Sequence, residues 1–120
     1  MLPRTVRLRK RPDFERAYQE GRRVRMATFT IYAYPRQDDQ PTRIGIVAGR
    51  RFETHVRRNR AKRRLRAACQ ALLPQLPPGY DLVLVAQLPA LDAPFEQLQR
   101  ELVGALSELG ILLSEGGGSS

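Results

Sequence analysis

The chain has 120 residues, enough for one hydrophobic core and too few for two. With 42% apolar and 28% charged residues it is composed to fold, and its formal net charge of +9 suits a polyanionic partner. Cys69 is the single cysteine, which excludes an intramolecular disulfide and a thiolate metal cluster. The start, Met1-Leu2-Pro3-Arg4, runs straight into charge with no apolar leader, and the longest aliphatic run, Leu82 to Ala86, is too short to span a bilayer, so a cytoplasmic location is expected.

Charge is segregated along the chain. Residues 1–66 carry 20 of the 21 Lys+Arg and 6 of the 12 Asp+Glu, so the N-terminal half is expected to bind and the C-terminal half to complete the core. Nearly all the cations are Arg, whose planar fork fits phosphate and whose flat face stacks on bases.

Residues 1–11 read as a basic N-terminal arm, 12–110 as the folded domain and 111–120 as a flexible tail. Pro12 suits the first helical position, Phe14, Ala17 and Tyr18 share one helix face, and Gly21 stops the helix. Arg22–Arg25 allow a short extra strand. Thr28–Tyr34 alternates, with Phe29, Ile31 and Ala33 on one face and Thr28, Thr30, Tyr32 and Tyr34 on the other. The polar stretch 35–42, with Asp38 and Asp39 as turn formers, predicts a hairpin whose returning strand is Arg43–Ala48. Thr54 is a candidate N-cap for a long helix reaching about Leu73, ended by Pro74, Pro77, Pro78 and Gly79. Tyr80–Ala86 is apolar on both faces and reads as an interior strand. A last helix is capped at Asp92 or Ala93, with Pro94 near its start, a core stripe of Phe95, Leu98, Leu102, Leu106 and Leu109, and Gly110 at its end. The order α-β-β-α-β-α, with the possible extra strand, predicts a single-domain α+β sandwich on a mixed sheet of about four strands, with a long Arg-rich helix.

Thr54–Arg66 (THVRRNRAKRRLR) holds seven cations in thirteen residues and no acid. At helical spacing Ala61, Leu65, Ala68, Cys69 and Leu72 form a buried seam, while Asn59, Arg63, Arg66 and Gln70 form an opposite stripe. Arg60 flanks that stripe, and Arg57 and Arg64 take the remaining side. Like charges at i, i+4 cost about 0.2–0.5 kcal/mol per pair, a repulsion that a polyanion would relieve. Phe14, Tyr18 and Tyr32 could supply stacking platforms beside this face, if the first helix and the long helix border the same side of the sheet. Cations along a backbone with rings for unpaired bases suit single-stranded RNA. Phe14 reads equally as core. A protein nuclease would need paired acid and base groups; His55 is the single histidine and reads as a residue at the helix start near phosphate, not a catalyst. No catalytic residue and no metal ligand is assigned to the protein.

These residues resemble the protein component of bacterial ribonuclease P. The resemblance rests on Arg43-Ile44-Gly45-Ile46-Val47, Arg50-Arg51, and Val56-x-Arg58-Asn59-Arg60-x-Lys62-Arg63-x-x-Arg66. Leu8-x-Lys10-x-x-Asp13-Phe14, Gly21, Phe29-x-x-Tyr32 and Tyr80-Asp81-Leu82-Val83 also look like the family, and together the matches cover about residues 4–109. The resemblance implies a fold like the second domain of ribosomal protein S5, with a left-handed β-α-β crossover through the long helix. It implies a subunit of a ribozyme whose RNA, with Mg²⁺, removes the 5′ leader of precursor tRNA, in partnership with that catalytic RNA. It places the leader cleft on Phe14, Tyr18, Tyr32, Arg58, Asn59, Arg63 and Arg66, with Arg50, Arg51, Arg57, Arg60 and Lys62 as further RNA contacts. The chain departs from the family at Gly49-Arg50-Arg51, where Ser-Lys-Lys is common, and at Glu53-Thr54-His55, where Gly-Asn-Ala is common. From the residues alone, a general or ribosome-associated RNA-binding protein is the alternative.

Overall fold

A computed structural model describes residues 2–112. In chain order these form α1 (Arg11–Glu20), β1 (Arg22–Arg25), β2 (Phe29–Pro35), β3 (Arg43–Val47), α2 (His55–Leu72), β4 (Tyr80–Ala86) and α3 (Phe95–Glu108). β4 organises the sheet. Leu82, Leu84 and Ala86 are buried on one of its faces, and Val83, with half-buried Val85, on the other. Such a strand wants a neighbour on each edge and a cover on each face. β2 pairs with it antiparallel, β3 pairs with it parallel through the α2 crossover, and β1 pairs outside β2, giving the order β1-β2-β4-β3.

The expected hairpin therefore does not form: β2 and β3 lie on opposite edges of β4. The segment between them passes the N-terminal end of β4, where Arg36 donates to Tyr80 O at 2.8 Å and Gly79 N–H to Gln40 O at 2.9 Å. An antiparallel β2–β3 pair would have left the two-sided apolar β4 at an edge.

The two faces of the sheet have separate covers. Phe29, Ile31, Ala33, Leu82 and Leu84 pack against Ala61, Leu65, Ala68 and Cys69 of α2 and Leu98, Leu102 and Leu106 of α3. On the other face Ala17 of α1 and Leu8 meet Val83, with Phe14, Tyr32, Tyr34, Val47 and Val85 around them. The condition of a shared side for α1 and α2 fails, because the alternation along β4 demands a cover for Val83 as well as for Leu82 and Leu84.

Local signals hold in detail. Thr54 Oγ1 caps α2 by accepting from Arg57 N–H at 3.2 Å. Gly21 ends α1 with an extended φ of −80°; what excludes a side chain is close approach, since a Cβ would stand 2.5 Å from Ala17 O. Gly110, at φ +79°, closes α3 in a Schellman motif: Gly110 N–H donates to Ser107 O and Ile111 N–H to Leu106 O.

Three expectations shift. α3 begins one residue past Pro94, which is its N-cap without a side-chain bond, so neither Asp92 nor Ala93 caps it, and Phe95 is an exposed first residue rather than core. The basic arm is docked, because Leu2 and Leu8 are buried and Leu8 N–H donates to Ile44 O at 2.9 Å along the β3 edge. Ile111 belongs to the core as the apolar partner of that Schellman motif and half-buried Leu112 packs against it, while 113–120 of the expected tail lie outside the described residues.

Candidate nucleic-acid interface

The cations fall into two groups. One group is structural. Asp81 is fully buried at the start of β4 and accepts from Arg36 Nη1 at 2.5 Å and from Arg43 Nε and Nη2 at 3.0 and 2.9 Å, with Arg16 Nη2 at 3.8 Å. Asp13 joins this node, accepting from Arg16 at 2.8 Å and lying 3.4 Å from Arg43 Nη1. Arg16 also stands over the Tyr34 ring, 4.9 Å from its centroid. The node ties α1 to β3 and β4, which matters because α1 buries a single residue fully, Ala17. Three other arginines bond backbone carbonyls: Arg22 to Leu109 O, Arg60 to Leu91 O, and Arg64 to Ala90 O and Ala93 O. Arg60, expected on the binding surface, thus braces the Leu88–Leu91 turn through its Nε.

The second group is the rest. Apart from Arg11, which pairs with Glu15 on the exposed face of α1, these cations have no hydrogen-bond or ion-pair partner for their side chains among the described residues: Arg23, Arg25, Arg50, Arg51, Arg57, Arg58, Lys62, Arg63 and Arg66, and likewise Arg4, Arg7, Arg9, Lys10 and Arg100. Most of these line three surface recesses. On the α2 stripe Asn59, Lys62, Arg63 and Arg66 surround Val56, which is 75% exposed, in a recess of about 350 Å³. At the β3 edge Lys62 and Arg66 come round to meet Arg7, Arg9, Phe14 and Ile46 in one of about 180 Å³. On the α1 face of the sheet Arg50 and Arg51 join Tyr32 in one of about 400 Å³. Arg57, exposed, and Arg58, half-buried, line none of the three.

The rings are held by specific neighbours. Tyr18 and Tyr32 meet edge to face, centroids 5.0 Å apart at 89°. Burial first, and the neighbouring Tyr32 second, push the Tyr18 phenol above its ordinary value, so it stays protonated and able to donate at physiological pH. The Phe14 ring packs on Gly45, where a Cβ would come within 2.6 Å of its Cε1 and Cζ atoms. Half-buried Phe14 is thus both core and edge of a recess.

α2 sits on the opposite sheet face from Phe14, Tyr18 and Tyr32, so no single trough exists. The surface instead wraps round the β3 edge, where Lys62 and Arg66 of α2 reach Phe14 of α1. His55 is exposed at the first position of α2. Sequence reasoning missed Arg23, Arg25 and Gln87 in the sheet-face recess and Val56 on the stripe. The period-2 pattern of Arg22–Arg25 was a usable signal, but the face it presents depends on its register with β2.

Comparison with known proteins agrees with this geometry. A family model described as Ribonuclease P matches residues 2–110. The ribonuclease P protein component of Symbiobacterium thermophilum is 37% identical over 115 residues, covering 96% of this chain and 100% of that one. Among solved structures, the Staphylococcus aureus RNase P protein superposes with a TM-score of 0.77 at 26% identity, over 89% of this chain and 97% of that one. The Thermotoga maritima RNase P protein does so with a TM-score of 0.74 at 27% identity, over 85% and 96%.

Proposed function

The chain belongs to the ribonuclease P protein family, and from that premise we propose how its surface serves the enzyme. It is the protein subunit of an RNA-based, tRNA-processing ribonucleoprotein, and its partner is the ribonuclease P RNA. In our reading the sheet-face and β3-edge recesses take the single-stranded 5′ leader of precursor tRNA. Phe14, Tyr18 and Tyr32 offer rings to unpaired bases, and Arg50 and Arg51 offer guanidinium groups to the leader backbone. The α2 stripe, Arg58, Asn59, Lys62, Arg63 and Arg66 with Arg57 and the remaining N–H groups of Arg60, lies against the catalytic RNA and the adjoining leader. The single observation that carries this is the meeting of unpartnered Lys62 and Arg66 with Phe14 at the β3 edge, which makes one surface of two sheet faces.

The protein's work is then binding and alignment. It neutralises phosphate, stacks bases and holds the leader extended, which raises the effective concentration of the scissile bond at the RNA's active site. Among the described residues no three His, Cys, Asp or Glu side chains gather. Asp13 and Asp81, which share Arg16 and Arg43 as partners, are engaged by those arginines. Mg²⁺ belongs in this reading to the RNA subunit. No helix among the described residues is long and apolar enough to cross a membrane, and the setting we assign is the cytoplasm, where tRNA is processed.

The test uses the complex reconstituted with its catalytic RNA and compares affinity for precursor and mature tRNA. Tyr32→Leu should weaken precursor binding by about 1–3 kcal/mol, the usual contribution of one stacked base, and leave mature tRNA and assembly with the RNA unchanged. Arg63→Ala should weaken binding with no loss of thermal stability. A Tyr32 variant that weakened precursor and mature tRNA equally would remove the leader from this surface.

A further inference from the structure

We infer that Arg23 and Arg25, together with Arg50 and Arg51, form a phosphate-binding subsite on the α1 face of the sheet that grips the leader beyond the aromatic rings. This extends the leader reading above and rests on it.

The strand register places these arginines. Arg23 is the cross-strand partner of Tyr32 and Arg25 of Thr30, so both project from the same face as those residues, the face α1 covers. The next positions across the sheet are Val83 and Gly45 in the Tyr32 row, and Val85 and Val47 in the Thr30 row. Helix α1 closes over the first row, with Ala17 at Val83 and the Phe14 ring on Gly45. Thr30 and Val85 of the second row are left as the floor of the recess, where Thr30 Oγ1 accepts from Gln87 Nε2 at 3.3 Å. Arg23 and Arg25 stand at one wall on β1; Arg50 and Arg51, in the turn after β3, stand at the other. β1 and β3 are three strand spacings apart, about 14 Å, which leaves room for a single strand between the walls.

The charge is one-sided. No Asp or Glu lines the recess, and none of the four guanidinium groups has an ion-pair or hydrogen-bond partner among the described residues. Charge on an edge strand also discourages strand-to-strand aggregation, and mixed signs would serve that end. Within β1 itself the contrast is direct: Arg22 points to the other face and bonds Leu109 O, whereas Arg23 and Arg25 turn toward the recess and have no side-chain partner among the described residues. Planar forks beside a floor of Thr30, Val85 and Gln87, next to the Tyr18–Tyr32 pair, fit the alternating phosphates and bases of single-stranded RNA.

The experiment measures binding of precursor tRNAs with leaders lengthened one nucleotide at a time, using the full chain assembled with its catalytic RNA. R23Q/R25Q is compared with wild type, with R23K/R25K, and with R4Q/R100Q as a control of equal charge. Past a threshold leader length, R23Q/R25Q should bind about tenfold more weakly at physiological salt, with a log–log salt slope shallower by about 1.4, the counterion release of two single-strand phosphates. Short-leader binding and the melting temperature should not move, and the Lys pair should recover part of the loss. Wild-type length dependence that survived in R23Q/R25Q would overturn the subsite and leave the leader reading standing. A loss equal at every length, or matched by R4Q/R100Q, would likewise reduce these arginines to general charge. A wild-type complex indifferent to the presence of any leader would overturn the leader reading itself, and the subsite with it.

Discussion

At Glu53 the backbone turns in a way few side chains favour. Its φ of 66° and ψ of −47° make the centre of a γ-turn closed by Thr54 N–H donating to Phe52 O at 2.6 Å. The turn buries Phe52 and delivers Thr54 to its capping position on α2. A non-glycine held there costs about 1–3 kcal/mol, a strain that glycine, with no Cβ, escapes. Glu53→Gly should therefore raise stability by about 1 kcal/mol, read as a higher denaturation midpoint, after allowing for the added freedom of the unfolded chain. Asp81 is the opposite case, a residue whose partners leave no room for change. Asp81→Asn removes the charge that Arg16, Arg36 and Arg43 share. Breaking a buried pair by one partner costs about 3–5 kcal/mol, and the lower end applies because Arg16 and Arg43 remain partly solvated. Equilibrium unfolding of the variant would show this, and a change below about 1 kcal/mol would deny the node its role in seating α1.

The elements differ in how much of their placement the sequence carries. The α2 seam of Ala61, Leu65, Ala68, Cys69 and Leu72 is buried as its 3.6-residue spacing requires, and β2 sends Phe29, Ile31 and Ala33 to the α2–α3 core and Tyr32 and Tyr34 to the α1 face as expected, while Thr28, expected on the Tyr32 face, precedes the strand and bonds Glu101 of α3. Those patterns are local, so reading them needs nothing else in the chain. The hairpin expected between β2 and β3 was wrong because pairing is a contest, and β4, apolar on both faces, takes the place between them. The same two-sidedness decided which helix covers which face, which the spacing within α1 or α2 could not reveal. The site inherits this limit: Asn59, Lys62, Arg63 and Arg66 were legible from helical spacing and motif, whereas Arg23 and Arg25 needed the β1–β2 register. α3 is fastened by a contact of the same long-range kind, since Glu101 accepts from Thr28 N–H at 2.9 Å and Thr28 Oγ1 at 2.7 Å, 73 residues away. Burial alone would raise this carboxyl; the bonds from Thr28 and Gln97 outweigh it and leave it below its ordinary value near 4.5. A lowered folded value means that the contribution is complete above about pH 4.5 and fades as pH falls through the folded value. Melting temperatures taken down through that window should fall more steeply for the wild type than for Glu101→Gln, and parallel curves would show that the contact carries no pH dependence.

Across the whole molecule, charge is divided by task. Asp13 and Asp81 absorb Arg16, Arg36 and Arg43 into the scaffold, and backbone carbonyls take Arg22, Arg60 and Arg64. Most of what remains unpartnered lines the recesses around the β3 edge and over the sheet face. This division predicts that salt separates the two groups. If Arg50, Arg51, Lys62, Arg63 and Arg66 each meet one phosphate of a single strand, these five contacts should contribute about −3.5 to the slope of log affinity against log salt, at about 0.7 per contact, in addition to the two of Arg23 and Arg25. Neutralising any one of the five should make the slope shallower by about 0.7 and leave the melting temperature within about 1 °C, since exposed charges contribute little to folding. Neutralising Arg36 or Arg43 should do the reverse, lowering the melting temperature by several degrees while the slope for the molecules that remain folded stays put. Titrations of single-stranded RNA between about 50 and 200 mM salt, run beside thermal melts of the same variants, decide this. A slope that moved equally for both groups would mean that the RNA responds to net charge alone, and that the partition seen in the fold has no counterpart in binding.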